Sequence, residues 1–233
     1  MKLKEIKFID LKENQKYDFI FPIGSTEQHG PFIPFGTDTY ITDYIVNKAS
    51  IEFPEIIIMP TLEYSRSQEH RGFYGTLWLT EKTLESVMVD ICNSIKDRAR
   101  NIFIISFHAN DLCIDKFIGK KLFKDVNIVN LRIIHKDDDK YIEEKILKGP
   151  FDGHAGNSEI SNMLVIDKKL VKLPSKNYPK HQVKDPFGTD NLIEKSQNGI
   201  ADNHPKWNIS SKNGKEILDI YVKRVIKNLK NYL

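Results

Sequence analysis

Sulfur and long apolar runs are scarce in this sequence. Only two cysteines, Cys92 and Cys113, occur in 233 residues. Their separation has neither redox-pair nor zinc-pair spacing, so a reducing compartment is the simpler expectation. No stretch approaches the ~18 uninterrupted apolar residues of a membrane span. The opening Met1-Lys2-Leu3-Lys4-Glu5-Ile6-Lys7 carries no apolar run of signal-peptide type. A cytoplasmic protein is expected. Charge of one sign is missing too: 35 basic residues face 32 acidic ones, a net charge of +3. That near-balance gives no reason to invoke nucleic acid or an anionic membrane as partner. Repeats, low-complexity tracts and linker-like stretches are also absent, so residues 1–233 are expected to form one domain.

What is present is a core-forming chain of ordinary composition, 40% hydrophobic and 29% charged. Short apolar runs alternate with amphipathic stretches. Tyr17–Ile23, Glu55–Pro60, Asn101–Phe107 and Asp125–Ile134 read as strands. Helices are expected over Thr39 to about Phe53, from Thr80 onward, over Asp115–Phe123, over Glu143–Lys148, from Ser158-Glu159, and from about Ser211. Thr80 is the expected N-cap of its helix, with Glu81 in the first turn. Lys136-Asp137-Asp138-Asp139-Lys140 reads as a solvated turn, and Phe151–Asn157 as a glycine-rich turn. Val171 to about Asn208 is rich in Pro, Lys, Asn and Gly, the pattern of a long functional or interfacial loop. Strands alternating with helices predict an α/β fold with a largely parallel sheet covered on both faces.

The chemistry concentrates where apolar runs end. Directly after the first strand comes Gly24-Ser25-Thr26-Glu27-Gln28-His29-Gly30-Pro31, continuing to Pro34-Phe35-Gly36-Thr37-Asp38. Ligands bind at such strand ends in open α/β sheets. Glu27 and His29 stand two residues apart and share a side in extended backbone. With Asp38 they form a donor set suited to zinc, manganese or iron. The same trio is also compatible with a structural polar cluster. His108 follows the strand ending at Phe107, where a capping role is the plainer reading. Glu159 lies five residues beyond His154, and a carboxylate in a first helical turn is a common stabilising choice.

These motifs resemble the signatures of the creatininase (creatinine amidohydrolase) family. The first is Gly24–Pro31 with Pro34–Asp38. Tyr64–Thr76 is similar to the family's Tyr-Ser-x-x-His-x-Gly-Phe-x-Gly-Thr block, and Ile105–Asn110 occupies the place of its Asn-Gly-His-Gly-Gly-Asn motif. His154–Ser161 resembles His-Ala-Gly-Glu-x-Glu-Thr-Ser. Gly199–Asp202 with Lys212–Lys215 resembles the C-terminal Gly-x-x-Gly-Asp and Glu-Lys-Gly pattern. The match runs in order from about Pro22 to Gly214.

The resemblance implies a three-layer α/β/α sandwich with a two-metal centre, zinc first, manganese or iron next. By position, Glu27, His29, Asp38 and His108 match metal ligands, with Asp38 bridging. Glu159 is the fifth, because Asn110 replaces a glutamate ligand of creatininase itself. The implied activity is hydrolysis of a non-peptide C–N bond, amide or cyclic amide, in a small metabolite by a metal-bridged hydroxide. His154 is implied as proton carrier, with Glu159 beside it. Glu69 and His70 either line the pocket or form a solvated loop pair.

Asn157 replaces the first Glu of the His-Ala-Gly-Glu motif, and Trp78 and Trp207 do not match the aromatics that enclose creatinine. Creatinine is therefore not the expected substrate. The alternatives are a formamide hydrolase (deformylase) acting on a nucleotide-derived intermediate, or a non-catalytic member kept for binding or assembly. For an anionic substrate, Arg66, Arg71 and Lys180 are the available cations. The resemblance also implies a homo-oligomer, hexamers being common in the family.

Overall fold

A computed structural model describes residues 1–150, 152–181 and 191–233. Four parallel strands form its centre: β1 (Tyr17–Ile23), β2 (Ile57–Ile58), β3 (Ala99–Ser106) and β4 (Asn127–Asn130), in the order β2-β1-β3-β4. Phe19 pairs with Ile102 of β3 and Ile57 of β2, so β1 is hydrogen-bonded on both edges. Full burial on both faces explains why β1 is apolar almost throughout. Its one buried carboxylate, Asp18, accepts from Arg100 and Asn101 on β3.

Among the described residues, the α-helices in chain order are α1 (Thr37–Ala49), α2 (Glu81–Ile95), α3 (Asp111–Gly119), α4 (Lys136–Tyr141), α5 (Asn157–Ile166), α6 (Leu192–Lys195) and α7 (Ser211–Leu229). The strands' alternation divides the core. Tyr17, Phe19, Phe21 and Ile23 point with Ile102 and Ile104 toward α2 and α3, meeting Leu84, Met88, Ile114 and Phe117. Ile20, Phe103 and Ile105 point the other way, toward Ile41 and Ile45 of α1, Ile160 and Met163 of α5, and Ile217, Leu218 and Tyr221 of α7. The result is the expected α/β/α sandwich. No helix among the described residues is long and apolar enough to cross a membrane.

Some boundaries differ from the sequence reading. Thr80 caps α2 as expected, its hydroxyl accepting from the Thr83 amide. The third helix begins four residues earlier than expected, at Asp111, immediately after the β3 loop. Lys136–Tyr141 is a helix rather than a turn. His135 caps it, and Asp137, Asp138 and Asp139 crowd its first turn, where the helix dipole favours negative charge. Asp138 also pairs with Arg224 of α7.

The glycine-rich turn contains a short strand, β5 (Asp152–His154), antiparallel to β6 (Ala201–Asp202). Phe151 of that turn, and residues 182–190 of the expected long loop, lie outside the described residues. The rest of that loop carries α6 and β6.

The α5–α7 contact depends on Gly214. A Cβ there would stand 1.9 Å from the Ser161 carbonyl oxygen, on backbone that cannot move aside cheaply. Gly214→Ala is expected to destabilise the fold by about 1–3 kcal/mol, the usual range for overpacking. Chemical denaturation of the purified variant measures it; unchanged stability would show that the helices can part freely.

Candidate metal centre

The site grows from three chain segments that end at one side of the sheet. The loop after β1 closes on itself when the Glu27 amide donates to the Phe35 carbonyl (3.0 Å). That closure holds Glu27 and His29 inside, each 1% exposed. The loop then enters α1, whose first turn carries Asp38. His108 stands two residues past the end of β3. His154 ends β5, and Glu159 sits in the first turn of α5.

Glu27, His29, Asp38, His108, His154 and Glu159 therefore meet in one buried cluster. The Asp38 carboxylate divides itself between two histidines. Its Oδ1 lies 3.3 Å from His29 Nε2, and its Oδ2 lies 3.0 Å from His108 Nδ1. The Ser25 hydroxyl donates to Oδ2 at 2.7 Å and fixes the carboxylate plane. Glu27 Oε2 approaches His108 Nδ1 at 3.2 Å, and Glu159 Oε2 approaches His29 Nε2 at 3.9 Å. Two metal-competent triads share Asp38: Glu27–Asp38–His108 and His29–Asp38–Glu159. A third joins Glu27, His29 and His154.

The donor set fits divalent ions. Glu27 Oε2 and His29 Nε2 are buried and make no hydrogen bond, although opposite groups stand close by. The outward ring nitrogens are tied down as metal-binding imidazoles usually are. His29 Nδ1 lies 3.0 Å from the Glu27 carbonyl, and His108 Nε2 lies 3.1 Å from the Arg66 carbonyl. A carbonyl only accepts, so each outward nitrogen carries a proton and the inward one can offer a lone pair.

Electrostatics without metal point the same way. Burial acts to raise the pKa of Glu27 and of Asp38. Facing imidazoles outweigh it: His108 and His70 for Glu27, and His29 with His108 for Asp38. Both carboxyls end well below the usual range. Burial opposes charge on His29, yet Asp38 wins and moves that ring up to about 10. His108 is likewise raised, against burial, by Glu27 and Asp38. For His70 burial prevails over the pull of Glu27 and takes the ring down to about 4. Burial, with neighbouring His70 and His29, also holds His154 well below the ordinary histidine value.

Protons on His29 and His108 thus balance the carboxylates where cations would otherwise do so. Cation uptake must expel them. Binding of zinc near pH 7 should release protons, and affinity should rise with pH by about tenfold per unit for each proton expelled. Calorimetry in buffers of differing ionisation enthalpy reads this directly; a buffer-independent enthalpy would contradict it.

The structure also places the remaining residues singled out from the sequence. His70, left open between pocket and solvated loop, is 1% exposed, with Nε2 3.2 Å from Glu27 Oε1. Glu69 is fully buried, and burial raises its pKa; Arg66 is its ion-pair partner at 3.4 Å. Lys180 is occupied, donating to Asp202 at 2.7 Å and to the Lys206 carbonyl. Asn157 serves the backbone instead of the cluster. Its Oδ1 accepts from the Asn208 amide, and its Nδ2 donates to the Lys206 carbonyl. Asn110 lies buried beside Ser106, whose hydroxyl accepts from it. Ser25 and Gln28 received no role from sequence, though both sit inside the first motif; the polar run itself was the available signal.

The α/β/α sandwich carries a buried, metal-competent carboxylate–imidazole cluster at its strand ends. The chain is a member of the creatininase family, whose model, described as creatinine amidohydrolase, matches residues 4–229.

Among curated proteins, the mycofactocin precursor peptide peptidase of Mycolicibacterium smegmatis is 31% identical over 98 residues, 40% of each chain. The Mycobacterium tuberculosis protein of that name is 29% identical over 102 residues, 40% of this chain and 41% of that one. The match thus spans about two fifths of those relatives' length. The 3-dehydro-scyllo-inosose hydrolase of Thermotoga maritima is 26% identical over 154 residues, 63% of this chain and 49% of that protein. A manganese creatininase structure superposes with a TM-score of 0.75 at 20% identity, covering 99% of this chain and 97% of that one. At that identity the likeness speaks for the fold alone.

Proposed function

We propose that the chain is a hydrolase that holds two divalent ions and cleaves an amide or cyclic-amide C–N bond in a small metabolite. The observation that carries this reading is the split Asp38 carboxylate, one oxygen turned to each of two metal-competent triads. Glu27, Asp38 and His108 would hold one ion; His29, Asp38 and Glu159 the other. Zinc and manganese suit this nitrogen–oxygen donor set. Such ions supply Lewis acidity and water activated near neutral pH.

The chain's own residues supply the rest. Ser25 orients Asp38, and the carbonyls of Glu27 and Arg66 orient the two ligand rings. The Ala155 amide donates to Glu159 Oε2 at 2.6 Å and aims that carboxylate at His29. His154 places Nδ1 4.0 Å from Glu27 Oε1, while its Nε2 faces the Gln28 carbonyl at 2.8 Å. Nε2 therefore keeps its proton, and Nδ1 can take one from the reacting water and pass it to the leaving nitrogen. Because the mycobacterial relatives are named as peptidases, a short peptide is the second substrate class to test.

Zinc- or manganese-loaded protein should hydrolyse some member of a panel of small amides, lactams, formamides and short peptides. Asp38→Ala should abolish turnover and reduce bound metal. His154→Ala should keep the metal and slow turnover by ~100-fold or more, the usual scale of general acid–base catalysis. Loaded protein inert across the panel would move the reading to a non-catalytic family member. Full activity in Asp38→Ala would remove the bridge.

A further inference from the structure

Four buried histidines surround the cluster, and one is wired in the opposite sense. His29, His108 and His154 each turn an outward nitrogen to a backbone carbonyl, at 3.0, 3.1 and 2.8 Å. Each therefore shows the cluster a nitrogen that can be bare. The outward nitrogen of His70, Nδ1, instead faces the side-chain amide nitrogen of Gln28 at 3.0 Å.

The orientation of that amide is settled by its surroundings. The Gly30 backbone N–H donates to Gln28 Oε1 at 2.9 Å, so Oε1 is the acceptor end. Nε2 carries two protons. One goes to the Gly199 carbonyl at 3.0 Å, which can only accept. His154 Nε2 lies 2.9 Å from the amide nitrogen, but its proton is committed to the Gln28 carbonyl. The second amide proton is left for His70 Nδ1. The residue opposite is shaped to hold this arrangement. Gly199 has φ +77°, and a Cβ there would fall 1.8 Å from Gln28 Oε1.

We infer that Gln28 is a positioning residue that sets the tautomer of His70, so that His70 serves Glu27 as a hydrogen-bond donor and is barred from ligating metal. With Nδ1 accepting from Gln28, the remaining ring proton of His70 sits on Nε2, 3.2 Å from Glu27 Oε1. The same carboxylate oxygen sees His154 Nδ1 at 4.0 Å on its other side. One ring gives Glu27 a proton donor, and the other shows it a lone pair. His70 then fixes which Glu27 oxygen is free for the ion; Oε2, without a hydrogen bond, is that oxygen. This deepens the metal-centre reading and rests on it for its consequence, though the tautomer itself can be read without metal.

The test is ring-nitrogen NMR of the full chain with 15N-labelled histidine, metal-free and zinc-loaded, beside chelator-competition titrations with zinc. In the wild type, His70 should show a protonated Nε2 and a bare Nδ1 in both states. Gln28→Leu should let the Nδ1–H form of His70 appear and weaken zinc binding by ~10-fold or more, the scale of losses when a ligand's supporting partner is removed. Gln28→Glu keeps the size and offers His70 an acceptor, so His70 Nδ1 should become protonated. A wild-type His70 protonated on Nδ1 overturns the inference. So does a Gln28→Leu protein with unchanged His70 signals and zinc affinity. A correct tautomer in a protein that binds no zinc would instead sink the metal-centre reading and leave the wiring intact.

Discussion

The buried carboxylate of Asp38, shared between His29 and His108, is the constraint on which the site depends. Two anionic side chains, Glu27 and Asp38, are 1% and 2% exposed. Burying such charge is costly unless each is paired and hydrogen-bonded. Each neighbouring group can be read as part of the answer. Ser25 donates to Asp38, His70 faces Glu27, and two imidazoles draw their pKa values upward against burial. Protons meet the demand for positive charge without metal; under the proposed function divalent ions would replace them, one ion serving three side chains at once.

The fold delivers these groups with little freedom. β1 and β3 are neighbours in regular register from Asp18 to Ile23, so the loops that follow them emerge side by side. Glu27 and His29 come from one loop and His108 from the other. α1 packs its apolar face against the sheet and fixes Asp38 in its first turn. α5 is held close to α7 by the small residue Gly214, which settles where Glu159 can stand. The hydrophobic core thus acts at a distance from the cluster by setting the separation of its side chains.

Much of this was legible in the sequence. The apolar runs Tyr17–Ile23 and Asn101–Phe107 marked the two central strands, since only a doubly covered strand can be so uniformly apolar. The motif residues named five of the six cluster members as ligands and His154 as a proton carrier, and the structure brings all six together. Two kinds of feature were hidden. Helix starts near charged residues were misplaced: Asp111 and Lys136 begin helices with carboxylates in the first turn, where the helix dipole favours them, and His135 caps the second. Long-range polar partnerships had no local signal at all. Nothing near position 157 indicates that Asn157 spends both ends of its amide on residues 206 and 208. Nor does the sequence around Gln28 show that it meets His70, 42 positions away.

Anomalous diffraction at the zinc or manganese absorption edge, on crystals of metal-loaded protein, tests the central claim most directly. Two peaks should flank the Asp38 carboxylate, one contacting Glu27 and His108 and the other His29 and Glu159. A single peak held by Glu27, His29 and His154, away from Asp38, would contradict the shared-carboxylate account, as would no peak at all.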